Sequence, residues 1–153
     1  MQNTFLLIVL IFIGFGCGNK GSEPVSEWDS IQPNTYYDTD ILENIPIYGK
    51  WEVVGTSGGL TGNGYEKDFD FLLIKPNGIF GLLKNNDLIT SGKISLLPTA
   101  DSNLIPPISF SPEKSLDIQI LNDSIKLVKF VSDTLYLDSP CCDRYNTQLK
   151  KVE

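Results

Sequence analysis

The sequence lacks histidine altogether among its 153 residues. Histidine is the commonest general base of enzymes, the commonest metal ligand and the side chain that titrates near neutral pH. Its absence therefore argues against most hydrolases, against the usual zinc centres and against a pH switch. We expect no catalytic residue, no metal site and no cofactor in this chain.

Basic residues are also scarce, with 12 lysines and arginines against 19 aspartates and glutamates and a formal net charge of −7. They form no cluster longer than a pair. An acidic surface repels the phosphate backbone of nucleic acids. Nucleic acid is therefore not an expected partner, and the acidic side chains are more simply a solubilising surface.

The sequence carries little that resembles a catalytic or nucleotide-binding motif. The glycine-rich residues 55–64 lack the spacing of phosphate-binding loops, and no helical pattern follows them. Ser57 is followed by Gly58 and Gly59, but its surroundings favour a strand rather than the strand–turn–helix of a nucleophile elbow. We expect a long loop between the first two strands here, with no enzymatic role.

The N terminus does carry an informative pattern, a short apolar run followed by a cysteine. Residues 5–13 are apolar, and Gly14-Phe15-Gly16 directly precede Cys17. The run is shorter than the roughly 20 residues that span a bilayer, which favours a signal peptide. The small residues before Cys17 resemble the lipobox of bacterial lipoproteins. The alternative is an N-terminal core element with a chance cysteine.

These observations divide the chain into three parts. Residues 1–16 form the expected signal peptide, residues 17–46 a lipidated cysteine with a flexible tether, and residues 47–153 a single folded domain. The tether is rich in Gly, Ser, Pro, Asn and Asp and would span about 30 Å. Its aromatic residues, Trp28, Tyr36 and Tyr37, are unusual in a spacer; we expect them to pack on the domain or to form a local recognition segment.

From residue 47 the sequence alternates short apolar runs with turn signals about every ten residues. Residues 76–78, 85–87, 122–123 and 132–133 are typical turns, and residues 116–120 alternate like a half-buried strand. No window after the signal has a helical apolar stripe. The pattern predicts an all-β fold, an antiparallel up-and-down meander of about eight strands. Closing the meander into a small barrel would remove its unpaired edges.

The first expected strand opens with Gly49-Lys50-Trp51, a G-x-W motif. With the meander, this motif resembles the lipocalin signature, and the order of motifs over residues 47–153 resembles the small lipocalin-like lipoproteins of Bacteroidetes. The resemblance implies that Trp51 closes one end of the barrel against a basic residue near the last strand. Arg144, Lys150 and Lys151 are the candidates. It also implies a barrel that can hold a small apolar ligand.

Large aromatic side chains are the candidates for the barrel interior. An eight-stranded barrel of short strands is just wide enough for side chains or for one small ligand. Such side chains form either a ligand pocket or an ordinary core, and the core needs no ligand. The candidates are Trp51, Phe71, Phe80, Phe110 and Phe130.

Two further cysteines, Cys141 and Cys142, are adjacent. If Cys17 is lipidated, these two thiols remain, and an oxidising compartment favours a disulfide between them. However, neighbouring Cα atoms about 3.8 Å apart lie below the usual disulfide range, so a vicinal bridge would be strained. We expect two reduced thiols, with the vicinal disulfide as the alternative.

The functional hypothesis that follows is a lipid-anchored, lipocalin-like protein of the outer membrane, on its periplasmic or cell-surface side, without catalysis. Gly18 rather than Asp after Cys17 favours the outer membrane. In the first version, the barrel binds a small apolar ligand. In the alternative, the barrel is filled, and its loops contact another envelope protein in a structural or inhibitory role. An enzyme using carboxylates is a third and weaker hypothesis.

Lipidation of Cys17 can be tested by mass spectrometry of the protein made in a lipidating bacterial host. We expect loss of residues 1–16 and a mass increase corresponding to acyl chains on Cys17, which Cys17→Ser abolishes. An unprocessed chain that still begins with Met1 would contradict this prediction.

Overall fold

The computed structural model describes residues 45–59, 62–99, 104–141 and 145–152. Eight strands follow one another around a closed barrel, each antiparallel to the next, and the first strand pairs with the last. This confirms the predicted all-β meander and its closure. The strands are β1 (Gly49–Gly58), β2 (Phe71–Ile74), β3 (Ile79–Lys84), β4 (Asp87–Leu96), β5 (Ile108–Pro112), β6 (Ile125–Val131), β7 (Thr134–Asp138) and β8 (Tyr145–Lys151).

One predicted strand is wrong. Residues 116–120 do not pair with the sheet; they lead into a single helical turn, α1 (Gln119–Asn122). The turn directs Ile118 and Leu121 into the core together, and the Leu121 amide donates a hydrogen bond of 2.8 Å to the Ile118 carbonyl. Asp68 holds the turn in place, because its Oδ2 accepts a 2.7 Å hydrogen bond from the Gln119 amide.

In the part of the chain that the structure describes, no helix has the length and apolar character needed to span a bilayer.

A β-bulge in β1 decides which of its residues face the interior. The register against β8 shifts between Val53 and Gly55. Before the shift, Trp51 and Val53 are buried in the core; after it, Thr56 lies opposite the buried Thr147. An extra residue reverses the alternation of side chains, so one strand can place odd and then even positions inside.

Apolar residues from outside the strands cover both ends of the barrel. At the end where β1 begins (the Trp51 end), Ile45 and Ile47 join the core, and Trp51 Nε1 donates a 2.8 Å hydrogen bond to the Ile47 carbonyl. At the opposite end (the α1 end), Phe69 precedes β2 and packs into the same core, together with the buried residues of α1. Side chains therefore cover the interior at the Trp51 end and at the α1 end, and the strands enclose it all round.

Gly92 allows β4 and β5 to approach closely. A Cβ at this position would meet the Ser111 carbonyl oxygen and, at 2.6 Å and 2.8 Å, the Pro112 Cα and the Phe80 ring. Two of these neighbours are backbone atoms of β5, which cannot move without disturbing the sheet. A side chain at position 92 is thus excluded by its neighbours.

We expect Gly92→Ala to lower the free energy of unfolding by on the order of 1–3 kcal/mol, because overpacking displaces the backbone. The matched control is Gly55→Ala, whose Cβ would come nearest to the flexible end of Gln148, at 3.1 Å. This control should change stability by less than about 1 kcal/mol. Urea unfolding followed by tryptophan fluorescence measures both, and equal effects would contradict the role given to Gly92.

Candidate functional site

The barrel interior is filled by side chains. Most inward-facing aromatic and aliphatic residues of the strands are at most 2% exposed, whereas Val128 and Phe130 of β6 are half-buried. A void large enough for water would leave the surrounding side chains partly accessible, so these residues pack against one another. The Phe80 and Phe110 rings meet edge to face, with centroids 5.0 Å apart. The inward residues include Trp51, Val53, Leu72, Ile74, Phe80, Leu82, Ile94, Ile108, Phe110, Leu135, Leu137 and Leu149.

The five aromatic candidates from the sequence separate into three groups. Trp51, Phe80 and Phe110 lie in the central core. Phe130 is only half-buried and packs on Trp51, with ring centroids 5.9 Å apart. Phe71 packs with a separate apolar cluster, and Lys50 Nζ lies 4.5 Å from its ring centroid. Four of the five therefore meet in one cluster, and Phe71 belongs to a different one.

A basic residue does lie over Trp51 at its end of the barrel. Lys151 is the strand partner of Trp51, and its Nζ is 5.6 Å from the Trp51 ring centroid. Lys150 instead forms an exposed ion pair of 3.4 Å with Asp133. Arg144 lies outside the described residues. Of the two described candidates, Lys151 is the one that lies over Trp51, by a cation–π contact rather than a hydrogen bond.

A polar cluster at the α1 end centres on Tyr65, which the sequence did not single out. The Tyr65 hydroxyl shares a 2.8 Å hydrogen bond with Thr147 Oγ1, and Thr56 Oγ1 donates one of 2.8 Å to the Tyr65 carbonyl. Its ring meets Tyr145 edge to face at 5.2 Å. Burial of the phenol, reinforced by the Asp68 carboxylate and opposed by the hydrogen bond to Thr147, raises the pKa of Tyr65 to about 12. At neutral pH Tyr65 is therefore a neutral structural link between the loop and β1 and β8.

Lys126 is the other residue that sequence reasoning missed. It is almost completely buried and is the strand partner of the interior residue Ile108. A buried ammonium group is costly unless it is paired, and Lys126 does take part in a polar interaction. The sequence does not show which face of this strand is buried, because residues 125–131 mix apolar and basic side chains without a regular alternation.

Because Lys126 points inward, β6 presents apolar side chains to the outside. Ile125, Leu127 and Val131 are each 40–47% exposed, and Lys129 is exposed among them. We call these four residues the β6 surface. Apolar side chains aligned on one face of a strand differ from singly scattered ones, because together they can be covered by one partner.

Among the residues that the structure describes, the backbone of β6 is also unpaired on one side over part of its length. Its ladder with β5 has two pairs, Ile108 with Lys126 and Ser109 with Ile125. Pro106 would meet Val128 at the next hydrogen-bonded pair and has no N–H to donate. Among the described residues, residues 128–131 of β6 therefore pair only with β7. An open edge beside apolar side chains is the kind of surface to which an extended segment adds.

The remaining sequence candidates are placed as follows. Ser57 lies within β1, paired with Asn146, so it is not in a nucleophile elbow. Cys141 is exposed. Its neighbour Cys142, like Cys17, lies outside the described residues, so the vicinal disulfide and the lipidation stay predictions. Within the described ranges, no group of Cys, Asp and Glu side chains could hold a metal ion.

Comparisons with known proteins give one structural similarity. No protein-family model matches the sequence, and no curated protein is significantly similar to it. The crystal structure of a DUF4847 family protein from Bacteroides vulgatus superposes with a TM-score of 0.48 and 18% sequence identity, covering 71% of this chain and 95% of that one.

The raised pKa of Tyr65 predicts how alkaline pH affects the barrel. Folding favours the neutral phenol, so its contribution to stability is complete below pH 10, the ordinary tyrosine pKa, and is lost as pH rises towards 12. We expect an ultraviolet titration of the folded protein to show a tyrosinate step near pH 12. Tyr65→Phe should abolish this step, and the exposed control Tyr48→Phe should retain it; a step unchanged by Tyr65→Phe would contradict the assignment.

Proposed function

We propose that this chain is a lipid-anchored, lipocalin-like binding module of the cell envelope, in which a filled barrel supports a surface that binds another protein. The observation that carries the proposal is the combination of a closely packed interior with an exposed apolar strand beside an open edge. Among the described residues, the core side chains pack closely and leave little room for a ligand, so we place recognition on the outside of the barrel.

The packed interior favours this proposal over a small apolar ligand. A ligand pocket of ordinary size has a volume of about 300–1,000 Å³ and leaves its side chains accessible when empty. Here the central aromatic rings contact each other, and both ends of the barrel are covered. A ligand would have to displace several core side chains, at a cost of a few kcal/mol for each one lost from the core.

The β6 surface indicates the chemistry of the partner. A partner strand placed along the open edge can bond to the backbone at Val128 and Phe130, whose groups point away from β7 by the alternation of the strand. Its side chains can then cover Leu127 and Val131, with an acidic residue facing Lys129. We therefore propose an extended protein segment of alternating apolar residues with a carboxylate among them.

The proposed position at the membrane follows from Cys17. Acylation at this residue would hold the barrel at the outer membrane, because several acyl chains together give stable anchoring where a single chain binds only marginally. A partner in the same envelope then meets the β6 surface at a high effective concentration, so moderate affinity is enough for binding. No catalysis is part of this proposal.

Native mass spectrometry of the full-length protein, purified from the envelope of its own host, tests the proposal. We expect a stoichiometric protein partner that is lost with Leu127→Glu, because a carboxylate on the β6 surface opposes an apolar partner. The control is Val54→Glu, an equally exposed position on β1. A peptide copied from the identified partner should bind the purified protein at least tenfold more weakly after Leu127→Glu than after Val54→Glu.

The contradicting results are equally specific. A co-purifying small molecule without a protein partner would favour ligand binding inside the barrel. A partner that is lost equally with both variants would show that the β6 surface is not the binding site.

A further inference from the structure

Charge is divided unevenly between the two ends of the barrel. The described residues carry ten lysines and ten acidic residues, so the difference is one of position and not of number. Six of the lysines lie in the strand ends and turns of the Trp51 end, where Glu52 and Asp133 are the described acidic residues. The other eight described acidic residues lie towards the α1 end. Asp101 and Glu153 lie outside the described residues. The lysines of the Trp51 end are Lys50, Lys75, Lys93, Lys129, Lys150 and Lys151.

Exposed apolar and aromatic side chains lie among these lysines. Tyr48 precedes β1 and Val152 follows β8, and the Val152 amide donates a 2.9 Å hydrogen bond to the Lys50 carbonyl. Val131 is the last residue of β6, and Leu104 lies in the connection from β4 to β5, which is at the same end. These four side chains are 44–62% exposed. The Trp51 end therefore presents apolar and positively charged groups together.

Lys151 shows how the two kinds of group are combined. Its Nζ lies 5.2 Å from the Tyr48 ring centroid and 5.6 Å from that of Trp51, while the residue itself is exposed. Lys150 beside it pairs with Asp133 at the surface, where both side chains are more than half exposed. A lysine that lies over aromatic rings while its ammonium group reaches water is an arrangement suited to the interface of a bilayer.

We propose that the Trp51 end of the barrel is a contact surface for an anionic lipid bilayer. The lysines face the lipid phosphates, and Tyr48, Val131 and Val152 reach the boundary between the headgroups and the acyl chains. A bilayer surface supplies negative charge and apolar area over one plane, which matches this mixture of side chains. The acidic α1 end is repelled by the same surface, so the charge distribution also fixes the orientation of the barrel.

The path of the chain agrees with this orientation. β1 begins at the Trp51 end, so the chain ahead of Ile45 joins the barrel at the end that carries the lysines. The acyl anchor proposed for Cys17 would therefore be attached to the end that faces the membrane. This step rests on the proposed anchoring, whereas the contact itself depends on the described residues alone and needs no partner on the β6 surface.

Lysine acetylation, measured residue by residue by mass spectrometry, tests the contact. The purified full-length protein is bound to vesicles of phosphatidylglycerol and, in parallel, of phosphatidylcholine, and a low dose of reagent modifies the exposed lysines. We expect at least about threefold less acetylation of Lys150 and Lys151 on the anionic vesicles, because lipid headgroups cover them. Lys84 and Lys114, exposed at the α1 end, are the internal controls and should react equally on both. Salt at 1 M, where the screening length is about 3 Å, should remove the difference.

Two double variants of equal net charge separate the position of the lysines from their number. Lys150→Glu with Lys151→Glu should abolish the protection that Lys75 shows in the unaltered protein, because the contact loses two lysines and gains two carboxylates. Lys84→Glu with Lys114→Glu changes the net charge by the same amount at the opposite end and should leave Lys75 protected. Lys129 and Val131 also belong to the β6 surface, so neither is substituted.

Equal acetylation of Lys150 and Lys151 on the two kinds of vesicle would overturn the proposal, and so would equal protection of both ends. Protection that requires an acidic envelope protein instead of lipid would overturn it as well and would identify a protein as the partner of this end. Residues 18–44, with six acidic residues and one lysine, are the same in all variants and cancel in the comparison. Circular dichroism establishes that the variants fold, and the measurement on the unaltered protein does not depend on them. Because the purified protein carries no partner, these results are independent of those for the β6 surface.

Discussion

Close packing inside a narrow barrel is the constraint on which the other features depend. Eight short strands enclose a space that large side chains fill, so each strand must present apolar residues inward at every second position. The bulge after Val53 changes which side chains of β1 face the interior, and Gly92 leaves room for the Phe80 ring. The covers at both ends then follow from the same need, because an open end would expose the rings of Trp51 and Phe110. Once the interior is filled, the properties that distinguish this barrel lie on its outside.

Two outer faces of the barrel differ in exposure. Leu73, Ile79 and Leu83, on the outside of β2 and β3, are buried, whereas the apolar residues of β6 remain exposed. Lys126 contributes to this difference, since its inward position places Ile125 and Leu127 outside.

The sequence predicted the meander because its turns and alternating runs are local signals. Trp51 was identified by its motif, and Phe80 and Phe110 by size and alternation. The turn at α1 was not predicted, because Leu116, Ile118 and Ile120 fit a strand equally well and only the tertiary bond from Gln119 to Asp68 decides between them. Phe71 alternates in the same way as the interior residues, and only the register of β2 shows that it faces outward. The β6 surface could not be predicted either, because which residues of β6 face outward depends on the burial of Lys126.

The place where the chain enters the barrel has a mechanical consequence. β1 begins at the Trp51 end beside the last residues of β8, and the two strands run antiparallel. A pull on the chain ahead of Ile45 therefore loads the first pairs of this ladder one after another, as in opening a zipper, rather than all together in shear. The bond from Trp51 Nε1 to the Ile47 carbonyl lies ahead of those pairs and takes the load first. Force applied to the chain ahead of Ile45 would thus strain this one hydrogen bond before it separates the strand pairs.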